Sequence, residues 1–286
     1  MKTNLVTTIR RLLAGGLFLA AATAFCGNAT LEHPFVGTYK REAAQGMTIH
    51  KDTAFLFNNT GICRMYNLKT GEFITSFELD TLAPENHSNC ADFGVEYPAG
   101  NHSYPAIYVS ECYGKRRCFV ESINEAGAKL IQTLAVRIGG KDNSPFDWYV
   151  DRDKKFLYSI AIVADDKGMR DYRLTKYRLP ALSAGDVNFT KSDVIEQFTI
   201  KFSQLSQGGT IRGDYLYLPV GHPKPSGTKK DPKDRGLLVV NLKTKQIEKT
   251  LDLNQLAVEP EDVAFHGDKL LMYCGQSGGL WHITGF

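Results

Sequence analysis

Residues 65 to 80 read Met65-Tyr66-Asn67-Leu68-Lys69-Thr70-Gly71-Glu72-Phe73-Ile74-Thr75-Ser76-Phe77-Glu78-Leu79-Asp80, and a near copy returns as Val239-Val240-Asn241-Leu242-Lys243-Thr244-Lys245-Gln246-Ile247-Glu248-Lys249-Thr250-Leu251-Asp252-Leu253. Each has an apolar approach, a polar turn and an alternating return, which is the pattern of a β-hairpin. A weaker copy runs from Phe119 to Leu134, and a distorted one from Thr175 to Gly185. Four related hairpins argue for a repeat protein.

Ahead of these hairpins stands a second recurring piece, in which one apolar strand ends in a turn carrying an aspartate and another begins. It reads Ile49-His50-Lys51-Asp52, Val150-Asp151-Arg152-Asp153, Ile211-Arg212-Gly213-Asp214 and Phe265-His266-Gly267-Asp268, with a looser version from Ala91 to Val109. Asp and Gly suit such turns because they tolerate the backbone angles a tight hairpin needs. Joined, the two pieces give four antiparallel strands in about 45 to 60 residues, the size of a propeller blade.

Five such units begin near Gly46, Asn89, Phe146, Gly208 and Glu261. The fifth has no fourth strand after Gly279 to Phe286, while Phe35 to Tyr39 stands without a hairpin partner. An N-terminal strand is therefore expected to complete the last blade, which removes an exposed sheet edge. The expected fold is all-β, a β-propeller of five four-stranded blades forming a single domain over residues 34–286. Six blades is the rival reading if Val187 to Ser206 hides a further pair of strands. Lys224 to Gly236, rich in charge and proline, reads as a solvated insertion.

With 286 residues, 43% of them hydrophobic, the chain can bury a full core. Its net charge of +3 comes from interspersed acids and bases, which argues against nucleic acid or an anionic membrane as partner. Lys2, Arg10 and Arg11 precede the apolar run Leu12 to Phe25 and small residues through Ala29, the layout of a secretory signal over residues 1–29. The expected location is outside the cytoplasm: periplasmic, cell-surface or secreted. Ala22-Thr23-Ala24 and Gly27-Asn28-Ala29 both offer cleavage patterns, and Cys26 offers a lipid-anchored alternative against which bulky Phe25 argues.

The remaining cysteines, Cys63, Cys90, Cys112, Cys118 and Cys274, fit no zinc-site spacing and read as small buried residues. Only Cys112 and Cys118 flank a short turn, where an oxidising compartment would allow a disulfide. The seven histidines show no paired metal spacing, and no phosphate loop or nucleophile elbow is present, so neither metal nor cofactor is expected. Asn58, Asn86, Asn101 and Asn188 match the N-glycosylation acceptor pattern, which the sequence leaves unresolved.

The Asn67-Leu68-Lys69-Thr70-Gly71-Glu72 hairpin and the Pro260 to Asp268 segment resemble those of extracytoplasmic bacterial propellers of the TolB-like and YncE-like class, over essentially the whole mature chain. The resemblance implies protein or ligand binding at the mouth of a central channel. It carries over no catalytic residue, because its motifs mark turns and strand ends.

Aligning the five units places Gln45, Asn89, Gln207 and Glu261 at one equivalent position, with Phe146 as the odd member, and Gly46, Cys90, Asp147, Gly208 and Asp262 at the next. The expected binding residues are thus Gln45, Asn89, Asp147, Trp148, Gln207, Glu261 and Asp262, with amides giving directional hydrogen bonds and Trp148 a stacking surface. The same groups could instead satisfy one another or channel water. An enzyme reading uses Asp92, Asp147 and Glu261 as the carboxylates of a glycoside hydrolase or lyase. The sequence favours a monomeric binding module for a protein or glycan over an enzyme, with a purely structural cell-surface role as a third reading.

Overall fold

Two strands, β1 (Phe25–Asn28) and β2 (Thr30–Phe35), precede the first blade in a computed structural model that describes residues 25–35, 45–138, 144–166, 169–221, 235–256, 258–275 and 279–286. The first blade is β3 (Met47–His50), β4 (Thr53–Phe57), β5 (Ile62–Asn67) and β6 (Phe73–Glu78). The second is β7 (Ala91–Phe93), β8 (Ile107–Ser110), β9 (Cys118–Asn124) and β10 (Gly127–Val136). The third begins with β11 (Asp147–Asp151), β12 (Phe156–Asp166) and β13 (Met169–Arg178). Its fourth strand is β15 (Glu196–Phe202), reached only after β14 (Val187–Phe189). The fourth blade is β16 (Thr210–Arg212), β17 (Tyr215–Val220), β18 (Gly236–Asn241) and β19 (Gln246–Asp252). The fifth runs through β20 (Pro260–His266), β21 (Lys269–Cys274) and β22 (Gly279–Thr284).

The chain folds as a five-bladed propeller, closed by an N-terminal strand. Strand β2 pairs antiparallel with β22, Thr30 opposite Thr284 and Phe35 opposite Leu280. The closing strand thus lies N-terminal to the expected Phe35–Tyr39, of which 36–39 fall outside the described residues. The innermost strands β3, β7, β11, β16 and β20 follow one another in a closed circle, since β20 also neighbours β3.

The two repeated sequence pieces have a shared cause. The Asn67 side chain accepts the backbone N–H groups of Lys69 and Thr70, and Asn241 does the same for Lys243 and Thr244. Each asparagine thereby caps its own turn. The next residue ties the hairpin to the other piece: Leu68 N–H donates to the Asp52 carbonyl at 2.7 Å, and Leu242 N–H to that of Asp214 at 2.8 Å. Lys51, Gly213 and Gly267 take the left-handed conformation at equivalent turn positions, which explains the glycine in two of the three.

Five hydrophobic clusters fill the five gaps between blades. Ile160, Leu174, Leu216 and Val240 meet between the third and fourth, for example, and Met47, Leu56, Leu271 and Tyr273 between the fifth and first. Each fully buried Leu, Ile, Phe or Met contributes about 1.5 to 3 kcal/mol. The wheel therefore rests on blade-to-blade packing.

The stretch from Val187 to Ser206 does hold two strands, yet they add no sixth blade. Strand β14 joins β10 in parallel as a fifth strand of the second blade, while β15 pairs antiparallel with β13. Strand β1 likewise lies parallel to β19 on the fourth blade, so Phe25–Asn28, read from sequence as part of a leader, is strand here.

Cys112 and Cys118 are separate free thiols, contrary to the disulfide considered for that turn. Cys118 sits opposite Ser110 within the ladder and faces the core between the second and third blades, whereas Cys112 has left the strand and packs against a different cluster. The turn is held by charge instead. The Glu111 carboxylate accepts two guanidinium N–H groups of Arg117 at 2.9 and 3.0 Å.

Candidate functional site

Because all five inner strands run the same way along the axis, the residues at their starts collect at one opening of the channel. There Gln45, Asn89, Phe146, Gln207 and Glu261 line a cavity of about 400 Å³ together with Tyr113, Arg116, Tyr172 and Glu259. Four of the seven expected binding residues are thus assembled at one mouth. The other three are not.

Asp147 is fully buried below the mouth, where its carboxylate accepts the Asn89 amide N–H at 2.7 Å. Asp262 is also fully buried and joins four blades. One of its oxygens accepts the backbone N–H of Met47 at 2.7 Å and of Ala91 at 3.4 Å, and the other those of Gly209 at 2.6 Å and Val263 at 2.8 Å. A Cβ on Gly208 would lie 2.2 Å from that carboxylate, and one on Gly46 would lie 2.5 Å from the Ser88 carbonyl oxygen. The small residues and acids that alternate at this position are therefore packing requirements of a crowded axis. Trp148, expected as a stacking surface, is 1% exposed and wedged beside Tyr177 and Phe189. Strand alternation turns it outward into the blade interface.

The three carboxylates of the enzyme reading do not share an opening. Glu261 lines the mouth just described, Asp92 lines a cavity at the far end of the channel, and Asp147 lies enclosed between them. Two carboxylates flanking one scissile bond are what that chemistry requires.

At the mouth, the unused hydrogen-bonding capacity is acceptor-rich. Gln45 is 7% exposed and its Oε1 has no partner. Burial pushes the Glu261 carboxyl well above the usual carboxylate range, and neighbouring Glu259 and Asp262 push the same way. Glu259 takes the Gln207 amide N–H at 2.7 Å. Across the cavity His87, in left-handed backbone, stacks on Tyr113 at 4.5 Å, and burial lowers its imidazole to about 4, so it is neutral near pH 7. Arg116 reaches the Ser144 carbonyl at 3.3 Å.

His87, Tyr113, Arg116 and Glu259 escaped the sequence alignment because they lie on loops before or between the aligned strands. His87 and Glu259 each stand two residues before a rim residue, the one signal that pointed to them. Among the described residues no cluster of three or more His, Cys, Asp or Glu side chains could hold a metal ion.

No family model matches the chain. No curated protein matches it either. Among solved structures it is similar to the glutaminyl cyclase of Myxococcus xanthus, with a TM-score of 0.54 and 13% identity over 91% of this chain and 97% of that one. At that identity the likeness speaks to the fold.

Proposed function

We propose that this propeller is an exported binding module of the TolB-like kind, which takes a donor-bearing segment of a protein ligand into the Gln45–Glu261 mouth. The observation that carries the reading is the buried, unpartnered acceptor there, Gln45 Oε1, beside the Glu261 carboxyl. Gln45 Oε1 is unpartnered and the Glu261 carboxyl is buried beside Glu259, while His87 and Tyr113 offer a flat apolar wall. A buried acceptor left without a donor costs about 1 to 3 kcal/mol, which a ligand N–H or O–H would recover. A leader ending at or before Ala29 would spare the closing strand β2.

The test is a peptide library and a glycan array read against wild-type protein and the variants Gln45→Ala and Glu261→Gln. The expected result is peptide binding lost in both variants with the unfolding midpoint retained. Binding confined to glycans, or unchanged in the variants, overturns this reading. The library includes peptides beginning with glutamine, since one structural neighbour is a glutaminyl cyclase. Turnover of any member would replace a binding module with an enzyme.

A further inference from the structure

The channel has a second opening, formed where the inner strands end. A cavity of about 420 Å³ lies there, lined from all five blades, with Thr48, Asp92 and Thr210 at its floor and Arg152, Arg212 and Phe265 around it. That volume is at the lower end of the range for small-molecule sites, about 300 to 1,000 Å³.

Asp92 is 6% exposed. One of its oxygens accepts the Val150 N–H at 2.9 Å, but the other has only the Thr210 hydroxyl at 3.4 Å, the outer limit of a hydrogen bond. That oxygen is left for a ligand donor. At the rim Arg152 is exposed and has no hydrogen bond or ion pair among the described residues, so its five donors are also free. Arg212 by contrast is committed: it pairs with Asp268 at 2.6 Å, donates to the Gly267 carbonyl at 2.7 Å, and lies over the Phe265 ring.

The charges around this opening offset one another. Arg212 is met by Asp268, and Arg152 stands beside Asp153 in a turn, so a strongly charged ligand gains little net attraction. Hydroxyl groups, which both donate and accept, match an open carboxyl oxygen, two buried threonines and a free guanidinium together. Phe93 and Phe265 add apolar wall for a C–H face.

We propose that this opening is a second binding site, independent of the Gln45–Glu261 mouth, and that it takes a neutral, hydroxyl-rich ligand of monosaccharide to disaccharide size. Binding is linked to a proton. Burial raises the Asp92 carboxyl to about 7, so part of the population holds a proton at neutral pH, and ligand hydroxyls donating to the ionised form expel it. The other titratable and charged groups around Asp92 are the Arg152 guanidinium of the third blade, the thiols of Cys90 and Cys118 and the Asp262 carboxyl of the fifth blade, which burial pushes up, and His50 of the first, which burial lowers.

Isothermal titration of the full chain at pH 7 with neutral hexoses and pentoses, run in phosphate and in Tris, tests this. Glucuronate and glucosamine serve as charged analogues. The expected result is binding of at least one neutral sugar with net proton release, weakened about tenfold by Arg152→Gln and untouched by Glu261→Gln at the other mouth. Asp92→Asn is expected to abolish the proton release. Three outcomes overturn the proposal: no neutral sugar bound at about 20 mM, a charged analogue preferred about tenfold or more, or unchanged affinity in Arg152→Gln. Because Arg152 is exposed, that variant tests the site without removing a core group.

Discussion

The Asp262 carboxylate, in the last blade, accepts the backbone N–H of Met47, in the first, at 2.7 Å across 215 residues of chain. The same side chain holds Gly209 of the fourth blade at 2.6 Å. Replacing it with alanine strands these buried donors, and each lost acceptor costs about 1 to 3 kcal/mol. Asp262→Ala is therefore expected to destabilise the fold by about 4 kcal/mol or more, measured as a lowered midpoint in urea. Asp52, half-exposed and paired with His266 at 3.0 Å across the same closing seam, makes the comparison: Asp52→Asn should leave the midpoint nearly unchanged.

Gly208→Ala tests the same hub from the opposite side. The new Cβ would fall 2.2 Å from an Asp262 oxygen and 2.8 Å from the Asn89 carbonyl, so the carboxylate must leave its donors or the strands must part. A loss of about 2 to 4 kcal/mol is expected, in the range of overpacked cores and broken buried networks. If Gly208→Ala and Asp262→Ala destroy one interaction, the double variant will cost clearly less than the two single losses added.

The buried acids pull stability down as pH rises from about 4 to about 7, against the opposite pull of His87, whose imidazole burial lowers from 6.5 to about 4. Burial takes Asp92 from the ordinary 3.8 up to about 7 in the folded state, and pushes Asp147, Asp262 and Glu261 in the same direction. A group whose folded pKa exceeds its unfolded value contributes its stability while protonated in both states and loses it as pH passes through the folded value. At about 1.4 kcal/mol per pKa unit, Asp92 accounts for at most about 4 kcal/mol of this decline. Thermal unfolding from pH 4 to 8 checks the slope, and Asp92→Asn should flatten it.

Trp148→Ala should cost about 3 to 5 kcal/mol and leave ligand binding by the folded fraction unchanged, because the ring fills the interface between the second and third blades. A drop in affinity without loss of stability would return the indole to the mouth.

Blade number, blade boundaries and the closing principle were all legible in the sequence, since each rests on local turn chemistry. Asn67 and Asn241 cap turns, and the aspartate turns join neighbouring strands, so one window of residues carries the whole signal. The rim residues Gln45, Asn89, Gln207 and Glu261 were legible for the same reason: a fixed offset from a turn fixes a height along the axis. What failed depended on neighbours distant in sequence. What Trp148 packs against includes Phe189, which arrives on a strand that leaves the third blade for the second. Asp262 reads as a rim acid until Met47 and Gly209 are seen to surround it. Asp92 reads as a partner of Asp147 and Glu261, because spacing along a strand does not say which end of a channel a side chain reaches.

The pairing of β2 with β22 also sets a timetable. During synthesis the strand that completes the last blade emerges before any blade exists, and its partner at 279–284 comes after every other strand, so the edge at 30–35 stays open throughout elongation. A permuted chain that begins at β3 and carries residues 30–35 behind 284 would turn this longest-range contact into a local hairpin, and should refold faster while reaching the same wheel.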